Sequence, residues 1–322
     1  LLERVAEDVE AGGVSWEILS GRAADPGPSA LALSFLAPVH RLVLEGRLPD
    51  LARFYRTAGG GEAPERAWPA FAAALEEHAE HLKREVARPC QTNEVGRSAA
   101  LLGGFLLLAR TTGLPLRLLE LGASAGLNLR WDAYHYAGTG VAWGPETSPV
   151  WLDDAFTQPP PLAGRVRIGE RAGCDLEPID AASEAGAATL RGFVWPDQPE
   201  RMRLLEGALA VARQLPVEVE RAEAASWLGE RLAKPRRGAV SVVFHSVFMQ
   251  YVEEPAQRRL QAQIERAARL ASAEAPLAWL RLEPGPARFE VRLTAWPGGA
   301  DLLLAECGSH GQDVRWLGHK IG

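Results

Sequence analysis

The chain is poor in cysteine: Cys90, Cys174 and Cys307 are its whole complement. They lie far apart, which excludes CxxC metal pairs and a disulfide ladder and fits a reducing compartment. A cytoplasmic location is expected, with no bound metal. Positive charge is not in excess, since 35 Lys and Arg stand against 41 Asp and Glu, a formal charge of -6. The general basic footprint of a nucleic-acid binder is therefore missing, and no nucleic-acid partner is expected. The short cluster "KPRRG" (234–238) reads as a solvated loop. Long apolar runs are absent too. No window approaches the ~18 consecutive apolar residues of a membrane span, so no membrane partner is expected. The opening stretch "LLERVAEDVEAGGVSWEIL" is too acidic for a secretion signal.

What remains is the composition of an ordinary globular protein, 47% apolar over 322 residues, enough to bury a core without staples. The first third carries helical patterns. In "RAWPAFAAALEEHAEHLKREVA" (66–87) Trp68, Phe71, Leu75, Ala79, Leu82 and Val86 fall three or four apart, the stripe of a helix that packs with one face. "LALSFLAPVHRLVLEG" reads as a helix broken near Pro38. "EVGRSAALLGGFLLLARTTG" (94–113) is apolar nearly all round, as in a buried helix. From residue 116 short apolar runs at 116–122, 165–170, 216–223, 239–246 and 276–283 alternate with helical patterns at about 126–135, 199–214, 224–233 and 255–271. That alternation predicts a mostly parallel sheet with helices on both faces. Residues 289–311 read as two strands around "PGG", a C-terminal antiparallel hairpin. The expected division is a helical N-terminal cap region over 1–112 and a Rossmann-like cofactor-binding domain over 113–322, interrupted by an insertion at about 137–164.

The stretch "LLELGASAGLNL" (118–129) then needs a reason. An apolar strand ends at Glu120, and the residues from Gly122 to Gly126 are all small, so something approaches the backbone closely. In open parallel sheets, ligands bind at the carboxyl ends of strands, where such turns expose backbone amides. The dinucleotide fingerprint G-x-G-x-x-G fails here, because Ser124 and Asn128 stand at its second and third positions. The alternative E-x-G-x-G-x-G fits at Glu120, Gly122 and Gly126, with Ser124 at the middle position. A positive φ at Ser124 would carry a steric cost; a negative one would leave its hydroxyl to bind a ligand. This pattern resembles the first motif of Rossmann-like S-adenosylmethionine-dependent methyltransferases.

That resemblance implies that Glu120, Gly122, Ser124, Gly126 and Asn128 border the cofactor. It also implies an acid at the end of the second strand for the ribose hydroxyls, either Glu170 or Asp175, with Asp175 preferred because Gly173 permits a turn before it. An acid after the third strand, Glu223, would contact adenine. Each acid alone also reads as a solvated loop residue. The chain as a whole resembles a bacterial family known as domain of unknown function 2332, through "QTNEVGRSAAL" (91–101), "LLELGASAGLNL", "GCDLEPID" (173–180), "FVWPDQPER" (193–201), "FHSVFMQY" (244–251), "WPGG" (296–299) and "SHGQDVRW" (309–316).

Chemistry at the strand ends rests on few residues. His245, near the end of the fourth strand, reads equally as a general base or as a hydrogen-bonded strand-end histidine. Gln91, Thr92, Asn93, Glu94 and Arg97 crowd polar groups before a buried helix. Capping needs one such residue, so the group is expected to form a lid or substrate loop. His310 depends on topology. Only "PGPAR" separates Glu283 from the next strand, too short for a crossover. That strand should run antiparallel beside the fifth, and the one after "WPGG" should return, bringing Ser309 and His310 to the active edge. In the usual order His310 would be only structural. The leading expectation is an S-adenosylmethionine-dependent methyltransferase with a small-molecule substrate. An inactive cofactor- or nucleotide-binding protein of the same fold is the alternative, and an NAD-dependent oxidoreductase the second alternative.

Overall fold

The structure is a computed structural model that describes residues 1–22 and 30–318. The chain forms two compact units, Leu1–Thr92 with Ala182–Glu206, and Asn93–Ala181 with Gly207–Gly322. The division thus falls at 92/93 rather than 112/113, and the chain returns to the first unit for 182–206. The buried helix of 97–112 belongs to the second unit.

The first unit is helical: α1 (Leu2–Glu10), α2 (Val14–Leu19), α3 (Ala30–Leu44), α4 (Pro49–Ala52) and α5 (Trp68–Val86). Its core gathers Ile18, Phe35, Val39, Leu42, Leu51, Phe71, Leu75 and Leu82, the stripe expected for 66–87. Helix α3 runs unbroken through Pro38. Leu33 to His40 are all buried, so packing offsets the roughly 3 kcal/mol that an interior proline costs. At the centre His40 places Nε2 2.7 Å from Thr57 Oγ1 and Nδ1 3.3 Å from Gly192 O.

The second unit begins with α6 (Arg97–Thr112) and β1 (Leu116–Leu121). The expected helix after β1 is a 3-10 segment, Asn128–Ala133. Arg130 explains it: its guanidinium donates to the Ala125 and Gly126 carbonyls at 3.2 and 2.7 Å, and the backbone settles into i→i−3 bonds, Leu129 to Gly126 and Arg130 to Leu127. The insertion holds a small sheet, β2 (His135–Gly138), β3 (Val141–Trp143) and β4 (Trp151–Leu152), followed by β5 (Phe156–Gln158). Next comes β6 (Ile168–Asp175), three residues later than the sequence pattern suggests and running straight through Gly173. After α7 (Glu184–Gly192) and α8 (Pro199–Gln214) come β7 (Val219–Arg221), α9 (Ala224–Arg231), β8 (Val240–Ser246), α10 (Glu254–Ala268), β9 (Leu277–Pro284), β10 (Phe289–Trp296), β11 (Asp301–Cys307) and β12 (Val314–Trp316).

These strands form one sheet in the order β5-β12-β11-β10-β9-β8-β1-β6-β7. The block from β9 to β7 is parallel, and β10 and β11 follow as an antiparallel hairpin. The fold is a mixed α/β one with a large, mostly parallel sheet. The strand after "PGPAR" does run antiparallel beside the fifth, and β11 returns, so the Ser309–His310 loop leaves from the carboxyl edge of the parallel strands. Side chains alternate between faces. Leu119, Leu121, Cys174 and Val243 pack with Trp227, Leu228, Leu260 and Ile264 of α9 and α10. Phe244 meets Phe105 of α6 at 5.2 Å, and Phe105 stacks on Trp131 at 4.5 Å. Glu120 pairs with Phe244 and with Gly173 in the ladders, so its side chain shares the α6 face with Asp175.

Candidate functional site

Strand β1 ends where the switch in strand order occurs: its neighbours are β8 on one side and β6 on the other. The following turn takes left-handed backbone at every second residue, with φ of 62° at Gly122, 52° at Ser124 and 65° at Gly126. Glycine accepts this without cost at the first and third positions. Ser124 carries the strain of the positive φ that its sequence left open, about 1–2 kcal/mol. Its backbone is pinned from both sides: Ser124 N donates to Asp175 Oδ2 at 2.9 Å, and Ile179 N donates to Ser124 O at 3.1 Å. Two residues of "GCDLEPID" thus shape the turn of "ELGASAGLN".

Asp175, not Glu170, is the acid that ends the second strand. Glu170 lies inside β6 and pairs with Arg117 at 2.9 Å and Arg231 at 3.5 Å. The Asp175 carboxylate also accepts from Glu177 N at 2.9 Å. Glu120 is 2% exposed. Burial pushes its carboxyl well above the usual carboxylate range; the Arg130 guanidinium opposes this and the Asp175 charge adds to it. A neutral acid at this place can donate a hydrogen bond. Among the described residues, Glu120 Oε2 and Ser124 Oγ are both buried without a hydrogen-bond partner. Buried polar atoms are nearly always paired, so two orphans at one turn ask for a partner from outside the chain.

The expected lid is split. Gln91 and Thr92 fall in the first unit, while Asn93, Glu94 and Arg97 belong to the second. Asn93 Oδ1 accepts from Ala125 N at 3.2 Å and from Leu127 N at 2.9 Å. Asn128, 1% exposed, accepts from Ser98 Oγ at 3.0 Å and reaches Glu94 O at 3.4 Å. Arg97 donates to Ser246 O at 3.3 Å and Ser309 O at 3.2 Å, tying the end of β8 to the loop that carries His310. That loop lies directly on Gly96: a Cβ on Gly96 would stand 2.3 Å from His310 O, and one on Gly311 2.2 Å from Gly96 O. Gly96→Ala is expected to cost about 1–3 kcal/mol through this backbone clash and to loosen the 308–312 loop. A thermal melt together with amide exchange at 308–312 checks this, and an unchanged melt would mean that the loop yields freely.

His245 is not brought to the site. Phe244, one residue before it, pairs with Glu120 in register, so His245 points to the opposite face of the sheet. It is fully buried and both ring nitrogens are engaged. Nδ1 lies 2.6 Å from Glu283 Oε1, and Nε2 lies 3.1 Å from Trp279 Nε1. A carboxylate only accepts and an indole N–H only donates, so the proton sits on Nδ1 and Nε2 supplies its lone pair to Trp279. No nitrogen is left to take a substrate proton, and the general-base reading is corrected to a structural one. Glu283 Oε1 also accepts from Phe248 N at 2.9 Å and Met249 N at 3.2 Å. Burial works to raise the Glu283 carboxyl, but the bond with His245 and these amides hold it below its usual value. Between them Val247 sits at φ 53°, an outlier for a β-branched residue. The held segment lays Phe248 on the turn: a Cβ on Gly122 would meet its ring at 2.3 Å.

Glu223 stands at the carboxyl edge beyond β7, but its carboxylate caps α9, accepting from Ser226 N and Ser226 Oγ at 2.8 Å each. Burial acts to raise this group and the Ser226 bonds lower it, with a net lowering. The role left for it is structural. Glu283, Arg130 and Phe248 went unread in the sequence. Only Phe248 had a signal, its place in "FHSVFMQY". Among the described residues no group of His, Cys, Asp and Glu is placed to hold a metal, and no helix is long and apolar enough to cross a membrane. A family described as an uncharacterized protein conserved in bacteria (DUF2332) matches residues 1–316. Comparison with curated proteins finds no match.

Proposed function

The chain belongs to the DUF2332 family of bacterial proteins, and we propose that it is an S-adenosylmethionine-dependent methyltransferase acting on a small-molecule substrate. The observation that carries this reading is the pair of buried, unpartnered atoms Glu120 Oε2 and Ser124 Oγ beside the Asp175 carboxylate. They offer unused hydrogen-bonding capacity to a ligand with hydroxyl and amino groups, which a nucleoside supplies. The residues fit such a cofactor. Asp175 would accept from ribose hydroxyls, Glu120 in its neutral form would exchange hydrogen bonds with a neutral polar group, and Gly122, the exposed residue of the turn, would let the ligand touch backbone. When bound, the cofactor supplies a methyl group activated for transfer to a nucleophile.

The chain's own part is alignment and proton management. Holding a nucleophile in line contributes roughly 7–11 kcal/mol in favourable cases. With His245 on the other face, His310 is the histidine that the topology brings to this edge among the described residues, and it would take the proton that the nucleophile gives up. Arg97 and Glu94 would border the substrate. A second reading, cofactor binding without turnover, is favoured by one observation: the histidine nearest the strand end has both nitrogens engaged.

Calorimetric titration with S-adenosylmethionine, S-adenosylhomocysteine and NAD tests the cofactor. Micromolar binding of the first two is expected, weakened about tenfold or more by Asp175→Ala, the size of a lost charged hydrogen bond. Glu120→Gln, close in shape to the acid whose neutral form burial favours, should leave folding intact and still weaken binding. No binding by the folded protein sinks the proposal.

A further inference from the structure

In the turn from Ala123 to Leu127 every backbone amide already has an acceptor within the protein. Ala123 N donates to Cys174 O at 3.0 Å and Gly126 N to Ala123 O at 2.7 Å. Ser124 N donates to Asp175 Oδ2 at 2.9 Å. Ala125 N and Leu127 N converge on a single oxygen, Asn93 Oδ1, at 3.2 and 2.9 Å. Backbone carbonyls account for two of these amides, one within the turn and one on β6. The convergent pair is different: a side chain from another segment, 32 residues or more upstream, fills the place where two N–H groups would otherwise grip an anionic oxygen.

The surroundings reinforce the exclusion of anions. Glu120 and Asp175 share this face of the sheet. The nearby cation, Arg130, is turned inward, donating to Ala125 O, Gly126 O and Leu215 O. The segment that follows is a 3-10 helix, Asn128–Ala133, too short to gather a useful positive end. A phosphate entering the turn would have to displace the Asn93 amide and then sit beside carboxyl groups.

We infer that Asn93 is a specificity-determining residue that withholds the turn from phosphate and restricts the site to nucleosides without a 5′-phosphate. This rests on the nucleoside-binding reading above. The same feature disfavours NAD, whose pyrophosphate needs amides that Asn93 holds.

The test compares adenosine, S-adenosylhomocysteine, adenosine 5′-monophosphate and NAD by calorimetry on the wild type, Asn93→Ala and Asn93→Asp. In the wild type the two phosphorylated ligands should bind at least about tenfold more weakly than adenosine, the scale of one charged hydrogen bond. Asn93→Ala frees both amides and should narrow that gap by about threefold or more. Asn93→Asp keeps the acceptor for both amides and adds a negative charge, so it should fold even where the alanine variant does not, and widen the gap. Equal wild-type affinity for adenosine and its monophosphate overturns the inference and leaves nucleoside binding standing. A ratio unmoved in every variant that folds overturns it as well. If a folded wild type binds none of the four, nucleoside binding fails and the inference falls with it.

Discussion

Glu283→Ala is expected to destabilise the protein by about 3–5 kcal/mol, a large share of what a domain has. One carboxylate oxygen receives His245 Nδ1–H at 2.6 Å, Phe248 N at 2.9 Å and Met249 N at 3.2 Å. Its removal leaves three donors without an acceptor, each unmatched buried group costing roughly 1–3 kcal/mol before relaxation. The strain at Val247 then has nothing to hold it, and the segment is expected to relax by moving Phe248 off Gly122. Glu283→Gln keeps an acceptor oxygen and should lose less than half as much. The pH dependence has a definite sign. Glu283 is held below its usual value in the folded protein, so its contribution is present above the ordinary carboxylate range and is lost as pH falls through the folded value. Urea denaturation at pH 7 and pH 4 reads both effects. An alanine variant within about 0.5 kcal/mol of wild type would show that the 246–249 segment holds itself.

Acidification from pH 6.5 to 4 is expected to cost the helical unit about 3 kcal/mol through one residue, His40. Burial lowers its pKa from 6.5 to about 4, with the backbone bonds to Gly192 and Val194 opposing that pull. Between those values the unfolded chain binds a proton that the folded chain refuses, so stability rises with pH across the window. At 1.36 kcal/mol per pH unit the gap amounts to about 3 kcal/mol. The measurement is unfolding free energy against pH for wild type and His40→Gln, with the His40 ring resonances followed by NMR. The variant should flatten the profile between pH 4 and 6.5. A His40 ring that titrates near 6.5 in the folded protein would remove the effect and the argument with it.

Much of this fold was legible because its strands are apolar runs. Leu116–Leu121, Val240–Ser246 and Leu277–Pro284 could be placed by composition alone, and the five-residue "PGPAR" linker determined the direction of β10. Strand β6 was placed too early because Glu170, Arg171 and Gly173 disguise it. Arg171 is tied to Asp132 by two 2.8 Å bonds, and Gly173 is small because Ala123 would lie 2.7 Å from its Cβ. Neither partner is local in sequence. Asp175 was preferred on the ground that Gly173 permits a turn before it, whereas β6 runs straight through Gly173 and ends at Asp175 itself. His245 stayed open between a general base and a hydrogen-bonded strand-end histidine for a non-local reason. Its assignment turns on Trp279 and Glu283, more than thirty residues downstream, and on which face of the sheet it takes. The role of Glu223 was decided by Ser226, three residues on, a capping contact that propensity would also have allowed.

The return of residues 182–206 to the helical unit has a consequence for synthesis. That unit cannot complete its core when its first 92 residues leave the ribosome, because His40 and Thr57 wait for Gly192 O and Pro196 O. By the time those arrive, β1 and β6 have emerged and can pair, while β8, the other neighbour of β1, has not been made. Domains tend to fold as units in order of synthesis, and here the two orders interleave: the earlier unit finishes in the middle of the later one. While these segments are awaited the chain carries an open helical core and a sheet that lacks β8, a state that exposes apolar surface and unpaired strand edge to aggregation.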